Sequence, residues 1–445
     1  MSPAPVTALS MASHLATREW TATDLFDRAL SRTNLAPAAS ALITTTIERG
    51  HREARASDRR RRADASKSPL DGVPIVWKDV FDVAGTVTTA GSQSRTANPP
   101  AEQDSSLVRR THRRGLVTVG KANLSEFAFS GLGVNTYFGT PVNPNSTDTP
   151  LVPGGSSSGS AAAVAAGLAP LAVGTDTSGS IRVPAAFCGL VGFRASPGRY
   201  GPHDFLPLSV TLDSIGIIAH TLSDIDALDR VLTVTRTPTT THTSPRVIIP
   251  AGEWIEDCTP EVRMPFERAT MALTRAGIDV TTKPIAAMIE AQHLMDSHGT
   301  IVGAEAHALH GHLLPFAPHI EAATLRRLEQ NQHPRSQLQQ VFSNLADLRR
   351  RFGEELDGAL LLCPTVRHDP PPIHSLLNSA SAYDRYNAST LRTTMLLSYL
   401  GTCGLSYPLR AFGNAAAGML FSQTDTHDDY LLAMSRRLLD LLQLD

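Results

Sequence analysis

The chain has 445 residues, 42% hydrophobic and 18% charged, with a formal net charge of −2. That balance supports a large buried core and gives no electrostatic reason to expect nucleic acid or an acidic membrane as a partner. Cys188, Cys258, Cys363 and Cys403 are far apart and form no C-x-x-C pair, which argues against a zinc ribbon or a disulfide scaffold and fits reduced thiols in a cytoplasmic protein.

Residues 1–65 read as helices. Thr21–Thr33 has amphipathic Ala/Leu spacing, and Arg52–Arg62 is a charged helix whose run Arg59–Arg62 reads as a solvated face. The N-terminus has no basic start followed by an apolar run, and no stretch reaches the length of a membrane span. From residue 72 to about 235, short apolar runs alternate with Gly/Ser/Thr/Asn-rich loops. The runs Val73–Trp77, Leu116–Val119, Leu171–Gly174 and Leu190–Phe193 are expected to be strands of an α/β sheet with helices on its faces. Ser160–Gly167 is a helix of little but alanine and valine, apolar all round and therefore buried.

A Thr/Pro/Ser-rich linker, Thr235–Pro245, follows. Beyond it, Val247–Ile249, Ile278–Thr281, Ala359–Cys363 and Met419–Ser422 read as strands. Pro260–Ala276 and Asp428–Leu444 read as helices. The expectation is a single domain over 1–445, with a helical part at 1–65, a core at 68–235 and a second α/β portion at 246–445.

Three segments carry chemistry. Only four of the 40 Lys and Arg residues are lysine, and lysine, unlike arginine, can give up its proton and act as a base. Lys78 ends a predicted strand in LDGVPIVWKDV. Burial beside Ile75, Val76 and Trp77 would lower its pKa and free its lone pair. The second segment, PGGSSSGSAAAVAAG (153–167), places glycines and serines before the buried helix, where backbone N–H groups favour developing negative charge. It also contains G-x-S-x-G, with Ser157 at the position of an α/β-hydrolase nucleophile. Aspartates and histidines are plentiful downstream, so the pattern leaves that reading open. In the third, GTDTSGSIRVPAAFCG (174–189), the small residues Thr177, Ser178, Gly179 and Ser180 allow successive N–H groups to converge on one point, as an oxyanion hole requires.

Taken together, the three segments resemble the motifs of the amidase signature family, with Ser156 and Ser180 at the family's spacing. GKANLSEFAFSG (120–131), FGTPVNPN (138–145) and TLDSIGIIAHTLSDID (211–226) agree as well. The resemblance implies an amidase signature fold: a large mixed, twisted β-sheet covered by helices on both faces. It implies hydrolysis of an amide through an acyl-enzyme. Ser180 would be the nucleophile, Ser156, after a cis peptide bond, the proton bridge, and Lys78 the base. Thr177, Ser178, Gly179 and Ser180 would supply the oxyanion-hole N–H groups. Ser157, Asp176 and Arg182 would support them, with Thr175 helping to hold the loop.

Ser130 and Gly131 lie where family members often line the acyl site, so they are expected near the substrate. The segment Leu396–Pro408 departs from the family pattern and carries no transferable contact. No metal and no cofactor is implied, and the His-rich stretch His293–His319 has no ligand spacing. The expected partner is a small-molecule amide, and a homodimer is the family-level expectation. The alternative is the glutaminase component of a tRNA-dependent amidotransferase, although Val183 stands where such chains typically have glutamine.

Overall fold

Eleven strands form one mixed sheet in the order β1-β3-β2-β4-β6-β5-β10-β11-β9-β7-β8. The computed structural model describes residues 6–33, 38–233, 245–332 and 338–444. The strands are β1 Leu42–Thr45, β2 Pro74–Lys78, β3 Val117–Ala122, β4 Leu171–Asp176, β5 Val191–Arg194, β6 Ser214–Ala219, β7 Arg246–Pro250, β8 Asp279–Lys283, β9 Leu360–Pro364, β10 Thr402–Pro408 and β11 Gly418–Thr424. The linker expected at Thr235–Pro245 lies almost wholly outside the described residues.

Every residue of β2, β3, β4, β5, β6 and β9 is buried. Strands buried on both faces read as short continuous apolar runs, which is why most were legible in the sequence. One part of the helical reading of 1–65 needs correction. β1 lies there, antiparallel to β3, where Ile43, Thr44 and Thr45 favour extended backbone. The remainder is helical, over Ala8–Ala16, Ala22–Arg32 and Ile47–Arg62. The Ala22–Arg32 helix starts at a capping box in which Thr21 and Asp24 satisfy each other's N–H groups.

The sheet's parallel part positions the site. β2 pairs in parallel with both β3 and β4. The carboxyl ends of β2 and β4 therefore meet at one edge, where open α/β sheets present their ligand sites. Lys78 ends β2 and Asp176 ends β4. Two buried helices begin nearby, Ser158–Ala165 and Arg182–Cys188. Gly189, at φ 67°, closes the second of these. The helix Ala380–Tyr399 comes from the far end of the sequence to pack against Arg182–Cys188.

Candidate active site

Lys78 is fully enclosed, and its Nζ lies 2.7 Å from Ser156 Oγ and 2.9 Å from Thr175 Oγ1. Burial lowers its pKa to about 7, against the pull of Asp213 and Asp176, which favour the charged form. Near neutrality a large part of the amine is therefore uncharged, with a lone pair available. Ser156 follows the cis peptide bond Gly155–Ser156. Its hydroxyl is the nearest side-chain partner of the amine.

Ser180 is held against the same turn by backbone, since Ser157 N–H donates to Ser180 O at 3.2 Å. Ser180 is 4% exposed, whereas Ser156 and Lys78 are at 0%. Of the three, only Ser180 has any exposed surface.

Asp176 organises the loop between β4 and the Arg182–Cys188 helix. Its carboxylate accepts the N–H groups of Gly179 (2.8 Å), Ile181 (3.1 Å) and Arg182 (3.2 Å), and two bonds from the Arg182 guanidinium. Burial opposes ionisation, but Arg182 and these N–H groups hold the acid at about 2. The expectation of four oxyanion donors is corrected here. The Gly179 N–H is committed to Asp176. Among the described residues, the N–H groups of Thr177, Ser178 and Ser180 find no acceptor within the chain. They remain free to meet an oxygen.

Ser157 sits at the start of the Ser158–Ala165 helix, its hydroxyl 3.4 Å from Thr175 O. A loop rather than a strand precedes it, so the strand-turn-helix geometry of a hydrolase elbow is absent at Ser157. Ser130 and Gly131 lie close to the cis bond, because Gly131 O accepts the Gly155 N–H at 2.7 Å. The Ser130 hydroxyl is occupied: it lies 3.0 Å from Asn387 Oδ1 and accepts from Tyr383 OH at 2.8 Å.

Other residues of the site escaped the sequence reading. Asp213 accepts from Thr177 Oγ1 at 2.5 Å, and burial raises its pKa to about 6. Its only signal was its place in the run TLDSIG. Thr394 Oγ1 donates to Ser178 O at 2.5 Å, and Arg182 donates to Ser398 Oγ at 2.7 Å and to Thr394 O at 3.1 Å. Ser398 belongs to the divergent segment, and it braces the loop through Arg182. In the His-rich stretch, His307 and His310 bond to the carbonyls of Leu328 and Pro207. Among the described residues, no group of three or more His, Cys, Asp or Glu is placed to hold a metal ion. No described helix is long and apolar enough to cross a membrane.

A family model described as Amidase matches residues 24–432. The 2-amino-5-chloromuconic acid deaminase of Comamonas testosteroni is 33% identical over 421 residues, covering 90% of this chain and 89% of that one. A glutamyl-tRNA(Gln) amidotransferase component from Cupriavidus necator is 45% identical over 220 residues, but the match spans only 49% of this chain and 43% of the other. A crystal structure of an amidase superposes with a TM-score of 0.84 and 26% identity, over 96% of this chain and 98% of the other. The 6-aminohexanoate cyclic dimer hydrolase, complexed with its substrate, shares the fold at a TM-score of 0.83 and 23% identity, over 98% of this chain and 97% of the other. The match runs nearly the whole length of the chain, so the chain belongs to the amidase family and is an amide-hydrolysing enzyme.

Proposed function

We propose that this enzyme converts a carboxylic amide to an acid and ammonia or an amine through an acyl-enzyme on Ser180. Uncharged Lys78 takes a proton from Ser156 while Ser156 takes the proton of Ser180. The Ser180 oxygen forms a bond to the amide carbonyl carbon. The N–H groups of Thr177, Ser178 and Ser180 stabilise the oxyanion. The C–N bond then breaks, and the proton returns from Lys78 through Ser156 to the leaving nitrogen. Water, deprotonated by the same relay, attacks the ester and restores Ser180 as the acid departs. Asp176, Arg182 and Ser157 act by positioning, and Ser130 and Gly131 by shaping the wall beside the cis bond.

The observation that carries this reading is a fully enclosed amine, with pKa lowered to about 7, lying 2.7 Å from a serine hydroxyl. Ser180→Ala should lower kcat by roughly 10⁴-fold or more without changing the melting temperature. A fluorophosphonate should label Ser180. Labelling of Ser157 would reinstate the elbow reading. The Comamonas relative is named for an acid as its substrate, and a small acid amide is a reasonable first substrate to test.

The similarity to the Cupriavidus amidotransferase component favours a second reading, a glutaminase that passes ammonia to a partner. Copurification with a second chain and a preference for glutamine over other amides would select it. Buried, unpaired cysteines fit the cytoplasm. A homodimer is the form to test by light scattering.

A further inference from the structure

The helix Ala380–Tyr399 carries a buried stripe of Tyr383, Asn387, Leu391, Thr394 and Ser398. Steps of three or four residues keep these side chains on one face. The C-terminal part of the stripe holds the loop before the Arg182–Cys188 helix, through Thr394 on Ser178 O and Ser398 on Arg182. The N-terminal part holds a different loop. Asn387 Oδ1 accepts from Ser130 Oγ at 3.0 Å and from the Gly131 N–H at 2.8 Å. A Cβ on Gly131 would lie 2.7 Å from Leu391, so the helix packs directly on backbone here. The Ser130 hydroxyl also accepts from Tyr383 O–H at 2.8 Å and from the Leu132 N–H at 3.2 Å. Its one donor and both acceptor sites are thus used inside the protein.

The loop fixed in this way cradles Ser156. Gly131 O accepts the Gly155 N–H at 2.7 Å, and Ser156 O accepts the Ser125 N–H at 3.1 Å. Ser125 Oγ ties the loop together, donating to Ser130 O at 3.1 Å and accepting from the Gly133 N–H at 3.2 Å. Backbone therefore grips Ser156 from both sides, and Asn387 anchors the outer end of that grip.

We propose that Asn387, supported by Tyr383, is a positioning residue for Ser156: through Ser130 and Gly131 it keeps the Ser156 hydroxyl 2.7 Å from Lys78 Nζ. The proposal rests on the reading of Ser156 as the proton bridge between Ser180 and Lys78. A bridging hydroxyl must meet two partners at once, and a displacement of about 1 Å costs on the order of 100-fold in rate. Thr394 and Ser398 stand on the same helix, so the proton bridge and the oxyanion loop share one rigid reference.

The test uses steady-state kinetics and fluorophosphonate labelling of the intact enzyme. Asn387→Leu keeps the bulk and removes the oxygen. It should lower kcat roughly 10- to 100-fold with KM within about twofold of wild type, and slow the labelling of Ser180 by a similar factor. Tyr383→Phe removes one hydroxyl and should lower kcat about threefold in the same pattern; it decides the matter if Asn387→Leu does not fold. Arg392→Gln loosens the same helix outside the stripe, by releasing Glu253 and Asp296, and should leave kcat unchanged. Wild-type kcat and labelling in the first two variants, a loss carried by KM alone, or an equal loss in Arg392→Gln would overturn the proposal. Ser156→Ala tests the reading beneath it. Full activity in that variant removes the bridge and the proposal with it, whereas an inactive Ser156→Ala beside unaffected Asn387 and Tyr383 variants removes the proposal alone.

Discussion

At the scale of single residues, the proposed chemistry turns on the protonation of Lys78. An amine whose pKa is lowered from 10.5 to about 7 is charged below that pH and free to accept a proton above it. As the proposed base, it requires kcat/KM for an uncharged amide to rise with pH and level off above about 7. A pH–rate profile flat from 5 to 9 would contradict the neutral-base mechanism. Lys78→Arg keeps the charge but has no lone pair to offer near neutrality. Its kcat should fall by roughly 10³-fold or more, and wild-type-like activity would remove Lys78 from the mechanism. The same lowered pKa opposes folding. Unfolded lysine holds its proton at neutral pH while the folded site does not, at a cost on the order of 4 kcal/mol. That cost is fully present below about pH 7 and fades as pH rises towards the unfolded value.

At the scale of elements, the loop that carries the proposed nucleophile is shaped by what flanks it. Gly179 has φ 128°, and a Cβ there would lie 2.2 Å from Thr394 Oγ1. The helix Ala380–Tyr399 therefore packs directly on backbone, and only glycine combines this conformation with so close an approach. Thr394 also anchors the loop by donating to the Ser178 carbonyl. Thr394→Val keeps the shape and removes the bond. Loss of one such bond is worth about 1 kcal/mol of stability, and a loosened oxyanion loop should lower kcat roughly tenfold with KM little changed. Thermal unfolding and steady-state kinetics on the same preparation separate the two effects. An unchanged kcat would mean that the loop keeps its shape without the helix.

At the scale of the whole molecule, buried charge ties distant parts of the chain together. Asp176 ends β4, and it pairs with Arg182 at 2.8 Å and lies 3.6 Å from Arg194. Arg182 reaches Thr394 and Ser398, and Arg194 bonds the carbonyls of Leu212 and Thr402. Asp176→Asn removes one charge, strands Arg182 and leaves Arg194 with Asp425 at 3.9 Å. Breaking such a group costs roughly 3–5 kcal/mol, enough to lower the melting temperature by about 3–5 °C in a chain of this size. A melting temperature within about 1 °C of wild type would show that the arginines find other partners. Because the folded pKa of Asp176 is depressed, its contribution is complete above the unfolded value of 3.8 and is lost as pH falls through about 2. It thus stabilises the fold throughout the range in which the enzyme is expected to work.

The sequence by itself determined the family and most of the local structure. The apolar runs that became β2, β3, β4, β5, β7, β8, β9 and β11 were visible, most of them because they are buried on both faces or lead into sharp loops. Lys78, Ser156 and Ser180 were visible because each lies in a short segment whose composition is unusual on its own. β1, β6 and β10 escaped that reading: β1 is short, β6 sits within a stretch read only for its family resemblance, and β10 lies within the divergent segment. Tertiary structure alone decided the rest. Asp213, Thr394 and Ser398 are ordinary residues in unremarkable surroundings until folding sets them against the loops they brace. It also decided that the Gly179 N–H belongs to Asp176. The physical reason is one of range. Backbone preference and burial pattern act over a few residues and are written locally. The partner of a buried charge or a free N–H is chosen by contacts between segments up to about two hundred residues apart, and those exist only once the sheet has closed around them.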